Sequence, residues 1–261
     1  MDLQLKGKTA LVTGSTAGIG LAIAERLAAE GVEVIVTGRS QDKLDAAVAQ
    51  VSTKGKARGV LADAGTAEGA DALIAAVPRV DILVNNLGIY EAKPFTQISD
   101  DDWFKLFEVN VMSGVRLSRH YFPKMLEANW GRVIFISSES GLLPPGEMLH
   151  YGTTKTAQLA IARGLAEQTR GTGVTVNTIL PGPTRSEGIL DFIRSVVDNK
   201  EASEAELEAE FFTRFRPLSL IRRLIEADEI GAIAAFLASP LAAVTNGAAI
   251  RAEGGIVPTI A

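Results

Sequence analysis

Thr13-Gly14-Ser15-Thr16-Ala17-Gly18-Ile19-Gly20 decides how the rest of this chain reads. Just upstream, Thr9–Thr13 opens with a short, nearly unbroken apolar run, the pattern of a strand buried on both faces. Just downstream, Ile19, Ile23 and Leu27 recur at helical spacing, and Gly31 supplies a stop. Between strand and helix, glycines let the backbone turn sharply and approach a phosphate. The N-terminus of the helix then presents unpaired N–H groups and a positive dipole end. A glycine cluster alone is also an ordinary tight turn; its place between a strand and a helix is what makes it informative.

The same alternation continues outward. Further strands are expected at Glu33–Thr37, Ala57–Leu61, Asp81–Asn85, Val133–Ser137, Thr175–Leu180 and Ala248–Arg251. Helical patterns fill 66–77, 100–129, 151–170 and 228–238, and Ser40 stands where a cap would start another helix. Strand–helix alternation implies right-handed crossovers and an α/β fold: a Rossmann-type, doubly wound parallel sheet of about seven strands with helices on both faces. No repeat, low-complexity tract or linker divides residues 1–261, so one dinucleotide-binding domain is expected. Pro183 to Arg223 breaks the rhythm after the sixth strand, as either a helical flap over a ligand crevice or a surface insertion.

Composition narrows the partners. Net charge is −5 and apolar residues make up 47%, the balance of a compact globular chain without blocks of Lys and Arg. Nucleic acid and membrane are therefore not expected as partners. The N-terminus lacks an apolar signal segment, and the uncharged stretch 230–244 is too short to span a bilayer. Without cysteine there is no thiolate chemistry, and two histidines do not make a metal site. A cytoplasmic location is the expectation.

Several landmarks beyond the glycine loop follow in a telling order. Asn85-Asn86-Leu87-Gly88 ends the fourth strand, Asn110 lies in Val109-Asn110-Val111, Ser138 ends the fifth strand, Tyr151-Gly152-Thr153-Thr154-Lys155 opens a helix, and Pro181-Gly182 ends the sixth strand. The spacing Gly14–Gly18–Gly20, with Asn-Asn-x-Gly and Tyr-x-x-x-Lys, resembles the short-chain dehydrogenase/reductase family across nearly the whole chain. The resemblance implies strand order 3-2-1-4-5-6-7, a nicotinamide cofactor, a small-molecule carbonyl or alcohol substrate, and a homotetramer. It also implies cofactor contacts from Gly14, Ser15, Thr16, Gly18, Ile19 and Gly20. Asp63, Ala64, Asn86 and Gly88 extend that surface, and Pro181, Gly182, Thr184 and Ser186 close it from the far side. Asp63 has an ordinary alternative as a helix cap.

The second strand ends in Thr37-Gly38-Arg39. An acid there would bond the ribose 2′-hydroxyl of NAD, whereas a guanidinium grips a 2′-phosphate, so Arg39 points to NADP over NAD.

Four residues form the expected catalytic set: Asn110, Ser138, Tyr151 and Lys155. Adding hydride to a carbonyl makes an alkoxide that needs a proton, and a free tyrosine, with pKa ~10, is a poor acid–base catalyst near neutrality. Residues i and i+4 share a helix face, so Lys155 can favour the phenolate of Tyr151 and, by resemblance, hold the nicotinamide ribose. Ser138 can donate to the developing oxyanion. By resemblance, Asn110 holds a water that links Lys155 to solvent. Singly, these could be a half-exposed aromatic, a solvated charge, a turn cap and a polar kink. Glu139, Met148 and His150 are expected at the substrate pocket, with His150 either a second proton donor or an ordinary wall or interface residue.

A 3-oxoacyl-carrier-protein-type reductase is the more specific alternative. Against it, the flap carries Asp198, Glu201, Glu204, Glu206, Glu208 and Glu210, which would repel an acidic carrier. A non-catalytic, dinucleotide-sensing protein on the same fold is the alternative from another class.

Overall fold

Successive residues of a strand point to opposite faces of a sheet, and in this chain both sets are apolar. Ala10, Val12, Ile82, Val84, Ile134 and Ile136 pack into one buried layer, while Leu11, Leu83, Val133 and Phe135 pack into another. A sheet built from such strands must be covered on both sides. In the computed structural model, which describes residues 2–186, 188–197 and 201–260, it is.

Seven parallel strands run in the order β3-β2-β1-β4-β5-β6-β7. They are β1 (Thr9–Val12), β2 (Glu33–Gly38), β3 (Ala57–Leu61), β4 (Ile82–Asn85), β5 (Gly131–Ile136), β6 (Val174–Pro181) and β7 (Ala249–Ala252). Helices α1 (Gly18–Ala29) and α2 (Gln41–Ser52) cover one face, together with a C-terminal helix (Ala227–Ala238). The other face lies under α3 (Ala67–Ala76), α4 (Asp100–Phe107), α5 (Ser113–Glu127) and α6 (Leu149–Glu167), of which α3, α5 and α6 supply the buried apolar contacts. The flap contributes α7 (Ile189–Val196) and α8 (Glu204–Arg214), which makes the C-terminal helix α9.

The sequence placed the elements within a few residues, with instructive differences. The pattern over 100–129 is not one helix: a π-helical turn, Glu108–Met112, separates α4 from α5. Asn110 sits in that turn. Its side-chain amide donates to Ile89 O (2.9 Å) and Thr154 Oγ1 (3.0 Å), and its Oδ1 accepts from Ile89 N (2.8 Å). Bonds made sideways to neighbouring elements explain why the regular i→i+4 ladder gives way there. Ser40 precedes α2 but makes no side-chain cap bond. The cap of α3 is Thr66, whose hydroxyl accepts from Gly69 N (3.0 Å); Asp63 instead accepts from Gly65 N (3.0 Å) in the loop before it.

The flap has its own apolar cluster, including Ile193, Leu207, Phe211 and Phe212. A parallel bridge between Thr184 and Ile225 ties its ends together, and Arg185 pairs with both Glu208 and Glu226 at 3.0 Å. Three of the flap's acids are engaged within the fold. Glu206 closes the capping box of α8 with Ser203, Glu208 also accepts from Leu224 N (2.8 Å), and Glu210 pairs with Arg214 (2.6 Å). Glu201 and Glu204 are exposed on the same segment. Asp198 lies outside the described residues.

Strand order reverses direction between β1 and β4, and a ligand crevice opens at the carboxyl ends of the strands at such a point. Thr13 latches the two ends together. Its buried hydroxyl accepts from Asn86 N (2.9 Å) and Leu87 N (3.0 Å), while Asn86 Nδ2 donates to Thr13 O (2.9 Å) and Gly14 O (3.2 Å). Thr13→Val keeps the shape and strands two backbone donors. It should lower the unfolding free energy by about 1–3 kcal/mol in urea titration. A change smaller than about 0.5 kcal/mol, the scatter of an ordinary surface substitution, would show that the latch contributes nothing.

Candidate active site

The glycine loop leaves β1 and enters α1 with Gly14 at φ +59° and Gly18 at φ +53°, conformations that L side chains rarely adopt. A side chain at Gly20 is excluded for a different reason: its Cβ would lie 2.3 Å from Gly14 O and 2.5 Å from Asn86 Nδ2. Helix α1 begins from an extended Ala17 and has no acid in its first turn, so its positive end is not neutralised by the chain itself.

A cavity of about 630 Å³ opens beside this loop, within the usual size range of cofactor sites. Gly14, Thr16, Arg39, Asp63, Ala64 and Gly88 all line it. Arg39 is exposed at its edge, and no side chain among the described residues is paired with it. No carboxylate stands on Gly38, where a Cβ would strike Thr16 at 2.5 Å. Bare loop backbone, an open helix end and an unpaired guanidinium at the far end together fit a phosphorylated dinucleotide. Ser15 and Asn86 differ from the rest of the expected set. The Ser15 hydroxyl is fully buried, donating to Val12 O (2.6 Å) and accepting from Thr37 N (2.9 Å), and so shapes the loop from beneath. The Asn86 side chain is committed to the Thr13 latch described above.

A second cavity, of about 160 Å³, lies at the other end of the crevice. Ile19, Pro181, Gly182, Thr184 and Ser186 form its cofactor-facing side. Ser138, Tyr151, Glu139 and Met148 form the opposite wall, as expected from sequence. His150 does not join them. It is fully buried, packs edge-on against Trp103 at 5.9 Å between ring centroids, and is not among the described residues lining the cavity. Burial pushes its pKa down, against the opposing charges of Glu91 and Asp102. Sequence reading passed over Arg216 and gave Tyr90 no role, yet both line this cavity. Phe192 and Phe211 of the flap line it as well, whereas Ile193 and Phe212 face the flap's own core.

Two elements bring the polar groups together. Strand β5 ends at Ile136, and Ser138 then caps a short 3₁₀ turn, its hydroxyl accepting from Ser140 N (3.1 Å). The same hydroxyl donates to Glu139 Oε2 at 2.5 Å. Helix α6 carries Tyr151 and Lys155 one turn apart. The Lys155 ammonium donates to Ile136 O (3.0 Å) and stands 5.6 Å from the centre of the Tyr151 ring. Gly88 leaves room beside it: a Cβ there would lie 3.4 Å from Lys155 Nζ and 3.6 Å from Asn110 Oδ1. Gln158 Nε2 donates to Asn110 O at 2.6 Å, fixing the π-helical turn against α6.

The electrostatics correct one expectation. Lys155 should draw the Tyr151 pKa down; instead burial, reinforced by the negative charge of Glu139, raises it above the ordinary phenol value. The ammonium aims at the Ile136 carbonyl and not at the phenol, so desolvation wins. Burial also lowers Lys155, to about 8, against the opposing pull of Glu139.

Comparison with known proteins agrees with this geometry. The family model for short chain dehydrogenases matches residues 8–191. The uncharacterized oxidoreductase YvaG of Bacillus subtilis is 50% identical, with 100% of both chains covered. The 3-oxoacyl-[acyl-carrier-protein] reductase FabG of Aquifex aeolicus is 32% identical over 98% of this chain and 100% of its own. Among solved structures, L-sorbose reductase from Gluconobacter frateurii, in complex with NADPH and L-sorbose, superposes with a TM-score of 0.92 at 29% identity, covering 100% of each chain. A glycine-loop crevice, a wall bearing Ser138 and Tyr151 with Lys155 behind it, and full-length relatives thus lead to one assignment: the chain belongs to the short-chain dehydrogenase family of oxidoreductases.

Proposed function

We propose that this chain moves hydride between NADP(H) and a small carbonyl or alcohol substrate, with Tyr151 as the proton donor and acceptor. The observation that carries this reading is the convergence of Ser138 and Tyr151 on one cavity wall, with Lys155 one helical turn behind. NADPH, when bound, supplies the hydride, and NADP⁺ accepts it in the reverse direction.

The chain's own residues do the rest. In the direction of reduction, the Tyr151 hydroxyl gives its proton to the oxygen of the carbonyl being reduced, and the O–H bond breaks to leave a phenolate. Burial keeps Tyr151 protonated before that step. The phenolate is costly in the same buried setting and needs a nearby positive charge. Lys155, with a pKa of about 8, is mostly protonated at neutral pH and stands on the same helix face. Ser138 can turn its hydroxyl from Glu139 toward the oxygen on which negative charge develops. Asn110 acts at one remove: its amide ties the loop at Ile89 to Thr154 of α6, setting the distance between the two sides of the crevice. The reading also takes the chain to be a homotetramer, as the family resemblance implies, and to be cytoplasmic, as its composition suggests.

Preference for NADP rests on Arg39 and on the lack of an acid at Gly38. Arg39→Ala should weaken NADPH binding by about 10–100-fold, the loss of one or two charge-assisted hydrogen bonds, and leave NADH nearly unchanged. Calorimetry that finds NADH the tighter ligand of the wild-type chain would contradict this preference.

The catalytic assignment is tested by Tyr151→Phe, which removes only the hydroxyl. NADPH should still bind, as followed by its fluorescence, while the rate should fall by about 10²–10⁴-fold. A variant that binds NADPH and turns over at the wild-type rate would remove Tyr151 from the mechanism. A wild-type chain that binds NADPH yet reduces nothing would favour the dinucleotide-sensing alternative.

A further inference from the structure

Glu139 and Arg216 are the two charged side chains among the described residues that line this cavity, and both are nearly closed off from solvent, at 5% and 9% exposure. Buried charges are costly unless their hydrogen-bonding capacity is filled. Here it is not filled. Glu139 accepts from Ser138 at 2.5 Å and from Arg216 Nε at a long 3.4 Å. An ionised carboxylate has about four acceptor positions, so roughly half remain open. Arg216 spends Nη1 on Phe215 O (2.7 Å) and on Glu147 (3.3 Å). A carboxylate is thus held in place by a neighbouring cation, with acceptor positions to spare, directly beside the serine that faces the reacting oxygen.

Three features say what should fill those positions. First, the Glu139 carboxylate bonds the Ser138 hydroxyl, so its free acceptors lie about one functional group away from the reacting carbonyl. Second, two carboxylates, Glu139 and Glu147, share one guanidinium, which leaves the polar corner unfavourable to an anionic substrate. Third, the space of about 160 Å³ includes the cofactor-facing side, so the room left beside Glu139 and Ser138 suits a compact reacting group.

Building on the hydride-transfer reading, we propose that Glu139, anchored by Arg216, is a specificity residue that accepts a hydrogen bond from a hydroxyl adjacent to the reacting carbonyl, so that the substrates are small, neutral hydroxyketones and the corresponding polyols. A site made to bond a hydroxyl discriminates strongly against an analogue that lacks it, because its own polar group is then left unpaired.

Dihydroxyacetone and 3-pentanone test this, since they have the same shape and differ only in hydroxyl against methyl. Each is titrated into the full-length chain loaded with NADP⁺, and turnover with NADPH is followed separately. Dihydroxyacetone should bind at least about tenfold tighter than 3-pentanone. Glu139→Gln, nearly the same size, should reduce that ratio to about threefold or less by weakening dihydroxyacetone while leaving 3-pentanone where it was. Equal or tighter binding of 3-pentanone by the wild-type chain, including failure to bind dihydroxyacetone, would overturn the proposal. So would a Glu139→Gln variant that weakens both ketones equally, since Glu139 would then serve only to shape the wall. Hydroxyketone-selective binding with no oxidation of NADPH would sink the hydride-transfer reading and leave this assignment standing. NADPH oxidation with 3-pentanone preferred would do the reverse.

Discussion

One threonine hydroxyl holds the crevice open. Thr13 accepts backbone N–H groups from Asn86 and Leu87, and so fixes the end of β1 against the end of β4 where strand order reverses. Everything built on those two ends depends on that register. The glycine loop leaves from β1, the Asn86-Leu87-Gly88 corner leaves from β4, and the Asn86 side chain returns to the loop carbonyls. Ser15 extends the same pinning to β2 and hence to Arg39 at the far end. Backbone bonds reach only a little past the end of β1, from Thr13 N to Val84 O (3.0 Å) and from Ser15 N to Thr37 O (3.3 Å), and side chains add the rest of the ordering there.

Chemistry at the other end is governed by desolvation acting in opposite directions on two groups. Burial raises Tyr151 and lowers Lys155, because in each case it penalises the charged form. The result at neutral pH is a protonated phenol beside an amine that is still mostly charged. On the proposed reading, that is the ground state needed for giving a proton to a new alkoxide. Glu139 pulls both groups upward, holding the phenol protonated and helping the amine keep its charge. Glu139 thus acts on both Tyr151 and Lys155, and Arg216 opposes it at Tyr151.

The fold was legible because its signals are local. Strand runs such as Val34-Ile35-Val36 and the strand–loop–helix context of Gly14 to Gly20 follow from periodicity and turn chemistry. The Ser138, Tyr151 and Lys155 positions were legible from their order along the chain. Less legible was whatever depends on contacts between distant segments. The π-helical turn at Asn110 arises from bonds to Ile89 and Thr154, which no helical pattern reveals. Arg216 reaches Glu139 across 77 positions of sequence, and nothing local marks it apart from Arg214 two positions earlier. His150 looked like a pocket residue because it precedes Tyr151, but one step along a helix turns a side chain by about 100° and sends it toward Trp103. The acids of the flap read as a repulsive surface, whereas several of them hold the flap to itself and to Arg185.

Hydride transfer itself is the claim on which the rest stands, and isotope transfer measures it most directly. The wild-type chain would be supplied with NADPH carrying deuterium at both C4 positions of the reduced nicotinamide. Dihydroxyacetone, L-sorbose and an acetoacetyl thioester would be offered in turn, and the alcohol formed would be read by mass spectrometry. Deuterium bound to the new carbinol carbon, in stoichiometric yield with the NADP⁺ formed, is the predicted result. Tight binding of the labelled cofactor with no deuterium passing to any of the three carbonyl compounds would contradict it.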